Sequence, residues 1–209
     1  MLQLRRVASA SSLVLYPLLF LAYFAVYPAY GLLESARIAI AFDGHTGAGT
    51  LASALGIAGC LLSVPATLAL MRVLADRSPK LALIGGAMSI VGFVALVGAL
   101  MPDVVATQLS TGGLTDEAKE FFTRFSNSPI VLALNILALF HVIGAVVLGV
   151  ALWRTGIAPR WAAVIATFAQ IIHIGANVSG LFWLDAATWI GLAASYAPVA
   201  RLVLRDQAN

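Results

Sequence analysis

His141 and His173 stand inside apolar sequence on either side of the basic turn RTGIAPR. A neutral imidazole offers one donor and one acceptor nitrogen. Two such rings on separate helices can ligate haem iron, hold another transition metal, or relay protons. His141 lies thirteen residues before Arg154 and His173 thirteen after Arg160. At about 1.5 Å of rise per residue, both rings fall roughly 20 Å from the turn, near the middle of a bilayer. On the second of the two helices, Gln170, His173 and Asn177 recur at i, i+3 and i+7 and form one polar stripe that should face protein. Ala138, Gly144 and Ala145 flank His141 at helical spacing and make a surface for close helix approach.

An aromatic stripe, Tyr16, Phe20, Tyr23, Tyr27 and Tyr30, runs along the first apolar stretch. The outer tyrosines suit an interfacial belt. Tyr23 lies deeper and needs a hydrogen-bond partner within the bundle. The polar core expected to bind a ligand or cofactor is therefore His141, Gln170, His173, Asn177 and Tyr23, with His141 and His173 as the metal or haem ligands. Asn135 is a further interhelical partner. For haem, the tight turn opposes the splay a macrocycle needs, and no buried arginine is placed for its propionates. A purely structural role, in which these groups hydrogen-bond helix to helix, is the main rival.

The elements that would carry these groups are membrane helices. Of 209 residues, 61% are hydrophobic and 10% charged, against roughly 25% charged in a soluble domain. Six apolar runs are long enough to cross a hydrocarbon core, at 9–33, 49–74, 81–101, 129–153, 161–183 and 186–204. The pattern predicts an all-α polytopic bundle, a single domain over 1–209. The amino end has the basic start of a secretory signal but an apolar run too long for one. Lysine and arginine distribution sets orientation. With the amino end inside, Arg5, Arg6, Arg72, Arg77, Lys80, Arg154, Arg160, Arg201 and Arg205 fall on inner segments, and only Arg37, Lys119 and Arg124 on outer ones. Both termini are expected in the cytoplasm, and the net charge of +3 reflects orientation rather than nucleic-acid binding.

ADRSPK, RTGIAPR and LDAAT read as short connections, with Pro79 and Pro159 in the first turns of the helices that follow. ESARIAIAFDGHTG reads as an interfacial turn or helix ending in a Gly-rich bend. Between spans three and four, Thr115 should cap an amphipathic external helix beginning DEAKEFF, with Leu114, Ala118, Phe121, Phe122 and Phe125 on one face. That helix would lie on the membrane or cover the bundle. Glu34, Asp43, His45, Asp103 and Asp185 are placed at the outer mouth, Asp185 as a helix cap. The lone Cys60 is a small buried hydrophobe. Gly85, Gly86 and Gly92 serve packing.

No H-E-x-x-H, Cys pair or phosphate-binding Gly loop is present, and no lysine in the last span could carry a retinal Schiff base. ALFHVIGAVVLGVALWRTGIAPRWAAVIATFAQIIHIG, about a fifth of the chain, resembles a group of uncharacterised bacterial six-span membrane proteins common in actinobacteria. His141, the G-x-A-L-W-R helix end, the Pro159, Arg160, Trp161 restart and His173 carry the likeness. It implies a compact helical membrane domain, in a bacterial inner membrane, and no particular activity. The leading expectation is a buried polar pocket for a small or lipid-like ligand or a cofactor, as in a membrane-embedded enzyme. The alternatives are a small-solute or proton-linked transporter, a structural subunit of a membrane complex, and a bis-histidine haem or metal protein. Scarce intramembrane carboxylates argue against proton coupling.

Overall fold

The computed structural model describes residues 2–205. It is helical throughout these residues: α1 (Leu2–Val26), α2 (Ser35–Phe42), α3 (Thr46–Ala75), α4 (Pro79–Ala99), α5 (Met101–Leu109), α6 (Asp116–Ser126), α7 (Pro129–Ala138), α8 (Phe140–Thr155), α9 (Arg160–Val178) and α10 (Phe182–Arg205). Six helical stretches are long and apolar enough to cross a membrane. They are Gln3–Val26, Thr46–Ala75, Pro79–Gly112, Pro129–Thr155, Arg160–Val178 and Phe182–Arg205. The protein is thus a multi-pass membrane protein whose exposed leucines, isoleucines and valines face lipid.

α1 runs between α3 and α10, because its aromatic stripe needs small residues on one side and rings on the other. Gly56 and Gly59 of α3 lie against Tyr23 and Phe20. Phe20 stacks on Trp189 of α10 with ring centres 5.0 Å apart. Cys60 is buried in the same core. α4 packs closely on α8, where a Cβ at Gly92 would overlap the His141 backbone, and Gly85 and Ser89 meet Gly144. The expected small-residue seam around His141 is this contact. Gly86 instead accommodates Met71 of α3.

Several boundaries differ from the sequence reading. The first span begins earlier and stops at Val26, because Pro28 disfavours helix in the residue before it. The fourth span breaks at Leu139 into α7 and α8, just before His141. LDAAT is not a connection: α9 and α10 are joined by 179–181, and Asp185 lies inside the first turn of α10. Gly180 makes that turn with φ of +68°, and Gly31, at +74°, sits against it so closely that a Cβ there would come 2.9 Å from the Gly180 Cα. The chain after α1 is thereby seated on the α9–α10 turn. Pro159 stands at the N-cap of α9 rather than within its first turn.

At the end of the bundle away from the basic turns, α2, α5 and α6 form a cover around Ala39, Phe42, Ala106 and Phe122. Thr115 caps α6 by accepting from the Ala118 amide at 3.2 Å. Of the residues expected on one buried face of α6, only Phe122 is fully buried, with Leu114 packed beside the same cluster. Phe121 is exposed and stacks on Phe125.

Candidate functional site

Two carboxylates organise the interior. Asp103 lies in the first turn of α5, where the helix end favours negative charge. It is 7% exposed and accepts from both phenols of the α1 stripe: Tyr23 to Oδ2 at 3.0 Å and Tyr27 to Oδ1 at 2.9 Å. Asp185, in the first turn of α10, is 0% exposed. It accepts from Tyr30 at 3.0 Å on Oδ2 and from His173 Nδ1 at 2.7 Å on Oδ1. Tyr23, Tyr27 and Tyr30 recur at i, i+4 and i+7, so one side of α1 and the turn after it supplies three donors to two acids. Tyr27 and Tyr30 lie beyond the first span. Burial first, and then the adjacent carboxylate, pushes both phenols above the ordinary tyrosine range, so they remain protonated donors.

These acids correct the sequence reading. Asp103 and Asp185 are not outer-mouth groups; they are buried because a tyrosine side chain reaches each one and satisfies it. Glu34, Asp43 and His45 are exposed, and the His45 ring turns onto the Asp43 carbonyl at 3.0 Å. The argument against proton coupling from scarce internal carboxylates falls with this placement.

His141, on α8, is 9% exposed, and its Nδ1 bonds the Ala138 carbonyl. A carbonyl only accepts, so Nδ1 carries the proton and the neutral ring keeps its lone pair on Nε2. His173 Nδ1 donates to the Asp185 carboxylate. His173 is further held by rings, with Trp189 at 4.9 Å and Phe24 at 5.0 Å between centres. Phe93 of α4 covers His141 at 4.9 Å.

Both histidines line one inner cavity of about 110 Å³, walled by Phe20, Tyr23, Phe24, Phe93 and Trp189. A larger vestibule of about 450 Å³ lies under the α6 cover and is lined in part by Tyr27, Asp103, Phe122, Asn135 and Asn177. Tyr23, Phe24, Leu96, Leu100 and His173 line both spaces and form the boundary between them. Neither lining contains lysine or arginine. Gln170 is 2% exposed and lies beside the His141 ring, yet its Oε1 has no hydrogen-bond partner; neither does Trp189 Nε1.

The structure therefore brings His141, His173 and Tyr23 around the inner cavity, buries Gln170 beside His141 outside that lining, and leaves Asn177 in the vestibule. Asn135 spends one amide hydrogen on the Val131 carbonyl of its own helix at 3.0 Å. Among the described residues no group of three or more His, Cys, Asp or Glu converges as a metal site. Sequence reasoning had Tyr27 beside Tyr23 in the wall of a ligand cavity, and missed Asp103, Asp185, Tyr30 and Trp189 as members of the site.

Fold and site together define an all-α, six-span membrane protein with an aromatic pocket anchored by two tyrosine-bound carboxylates. The chain belongs to the family described as Domain of unknown function (DUF4386), whose model matches residues 8–205. No curated protein and no solved structure matches it.

Proposed function

We propose that the pocket binds a small neutral or cationic molecule with an aromatic or alkyl body, and that His173, oriented by Asp185, is the group that exchanges a hydrogen bond or proton with it. The observation that carries this reading is the position of His173. It is fixed from behind by a fully buried carboxylate and lines both the inner cavity and the vestibule. That arrangement is the one a general base requires: an orienting acid on Nδ1 and a lone pair on Nε2. Aromatic walls and a carboxylate without lysine or arginine favour cations over anions. The unpartnered Trp189 Nε1, in the cavity wall, offers the ligand a donor. A membrane-embedded enzyme acting by acid–base chemistry uses all of these features. The resemblance to bacterial six-span proteins supports a bacterial inner membrane as the location, and the lysine and arginine asymmetry supports basic turns in the cytoplasm.

Diethyl pyrocarbonate, which acylates neutral imidazole, tests the pocket, with exposed His45 as the internal standard in peptide mass spectra. On this reading the boundary shared by the two spaces opens to admit the ligand: His173 is expected to react, to slow at least about tenfold when Leu96→Trp fills that boundary, and to be protected by phenethylamine. His173 reacting no faster in the wild type than in Leu96→Trp would overturn the reading.

One observation favours a second reading. Each histidine engages Nδ1 with a carbonyl or carboxylate and keeps Nε2 for the cavity, the pattern that orients metal-bound imidazoles. A single transition-metal ion suits a space of about 110 Å³. Haem does not, since cofactor sites occupy about 300–1,000 Å³. Metal analysis of purified wild type and His141→Ala separates the two readings.

A further inference from the structure

At the basic end of the bundle, the turn between α3 and α4 meets the end of α8. Because α4 and α8 run antiparallel, the positive end of one helix dipole adjoins the negative end of the other. The negative end is already compensated: Arg77 Nη1 donates to the Thr155 carbonyl at 3.2 Å, and Arg154 occupies the last turn of α8. The positive end is not. Ser78, the N-cap of α4, makes no side-chain capping bond, Pro79 has no amide hydrogen, and the first backbone bond back into the cap runs from Ala82 to the Ser78 carbonyl. The amides of Lys80 and Leu81 are thus the orphan donors of the helix start.

These groups share one open groove of about 500 Å³, lined by Arg77, Lys80 and Arg154 together with Ser78 and Leu81. No carboxylate lines it, and the nearby Asp76, at the C-cap of α3, is exposed and forms no ion pair with them. Three cations, a hydroxyl and a free helix start converge on a space the size of a headgroup. We infer that this groove is a binding site for a phosphate group, and that its occupant is the headgroup of an anionic phospholipid.

The lipid source follows from what flanks the groove. Trp153 and Trp161, 49% and 51% exposed, stand beside Arg154 and Arg160, at the level where indole rings meet headgroups. Leu83 and Ile84, 63% and 52% exposed, continue along α4 from the groove and give acyl chains an apolar track. A soluble phosphate would use the cations and leave this track unused. The site is independent of the aromatic pocket, which lies toward the other end of the bundle.

Native mass spectrometry from nanodiscs of mixed phosphatidylglycerol and phosphatidylcholine tests the site. The wild type is expected to retain phosphatidylglycerol, and Lys80→Gln/Arg154→Gln to lose that preference by roughly tenfold or more. Arg201→Gln/Arg205→Gln removes the same charge from the end of α10, outside the groove, and is expected to keep the preference. Loss of equal size in both double variants would overturn the site, since general charge at that end would then explain the attraction. No preference in the wild type would overturn it too. Thermal stabilisation by inorganic phosphate alone, lost in Lys80→Gln/Arg154→Gln and not exceeded by phosphatidylglycerol, would overturn the lipid occupant.

Discussion

Replacing Tyr23, Tyr27 or both by phenylalanine reads directly what Asp103 needs from its surroundings. The acid is 7% exposed and has one phenol on each oxygen, at 3.0 and 2.9 Å. Phenylalanine keeps the rings that stack on each other, 5.1 Å apart, so the substitutions remove the donors and little else. A hydrogen bond to a charged group contributes about 1.5–3 kcal/mol, and interhelical bonds in bilayers contribute less, about 0.6–2 kcal/mol. Each single variant is therefore expected to lose about 1–2 kcal/mol. The double variant strands a buried carboxylate without either phenol, a loss that approaches the 3–5 kcal/mol typical of a broken buried pair, roughly. The two losses should consequently exceed additivity by about 1 kcal/mol. Reversible unfolding in mixed micelles titrated with dodecyl sulfate measures all three. In an Asp103→Asn background the excess should vanish, because a neutral amide strands no charge. Losses within about 0.5 kcal/mol of wild type for all three variants would refute the reasoning. Water from the vestibule would then be solvating the acid and the tyrosines would not be holding it.

Gly92→Val forces a side chain into the His141 backbone and is expected to cost about 2–3 kcal/mol or to prevent folding, whereas Gly47→Val, with nothing within 4 Å, is expected to cost about 1 kcal/mol or less; comparable melting temperatures for the two would contradict the α4–α8 seam. The raised Tyr27 phenol makes a contribution that is complete below the ordinary tyrosine value, about 10, and is lost as pH climbs toward the folded value. The melting temperature of wild type should therefore fall more steeply above about pH 10 than that of Tyr27→Phe, and parallel curves would count against this link.

Much of the helical framework was legible because lipid imposes a simple rule on composition and length. Long apolar runs with at most one charge located all six spans, and the Thr115 cap marked α6. Boundaries failed where a polar residue belongs inside a span. Asp185 looked like the edge of a helix because charge normally marks a connection; it is instead a buried acceptor one turn into α10. The break at Leu139 left no mark either, since neither Gly nor Pro announces it and the run from 129 to 155 is apolar on both sides.

The site was half legible for a related reason. His141, Gln170 and His173 were recognisable because each is costly in an apolar helix, and because Gln170, His173 and Asn177 recur on one face of α9. The acids were assigned by position along the chain, when the tyrosines already contained the missing constraint. Three phenols at 23, 27 and 30, on one side of α1 and in the turn after it, cannot all be anchors, because the chain presents one face to headgroups only over a turn or so. Those pointing inward require acceptors, and Asp103 and Asp185 are carboxylates near the same end of their spans. The donors on α1 and the acids on α5 and α10 are therefore a single requirement divided among distant segments. Satisfying it holds His173 at the boundary shared by vestibule and cavity, so the groups that hold this end of the bundle together also shape its pocket.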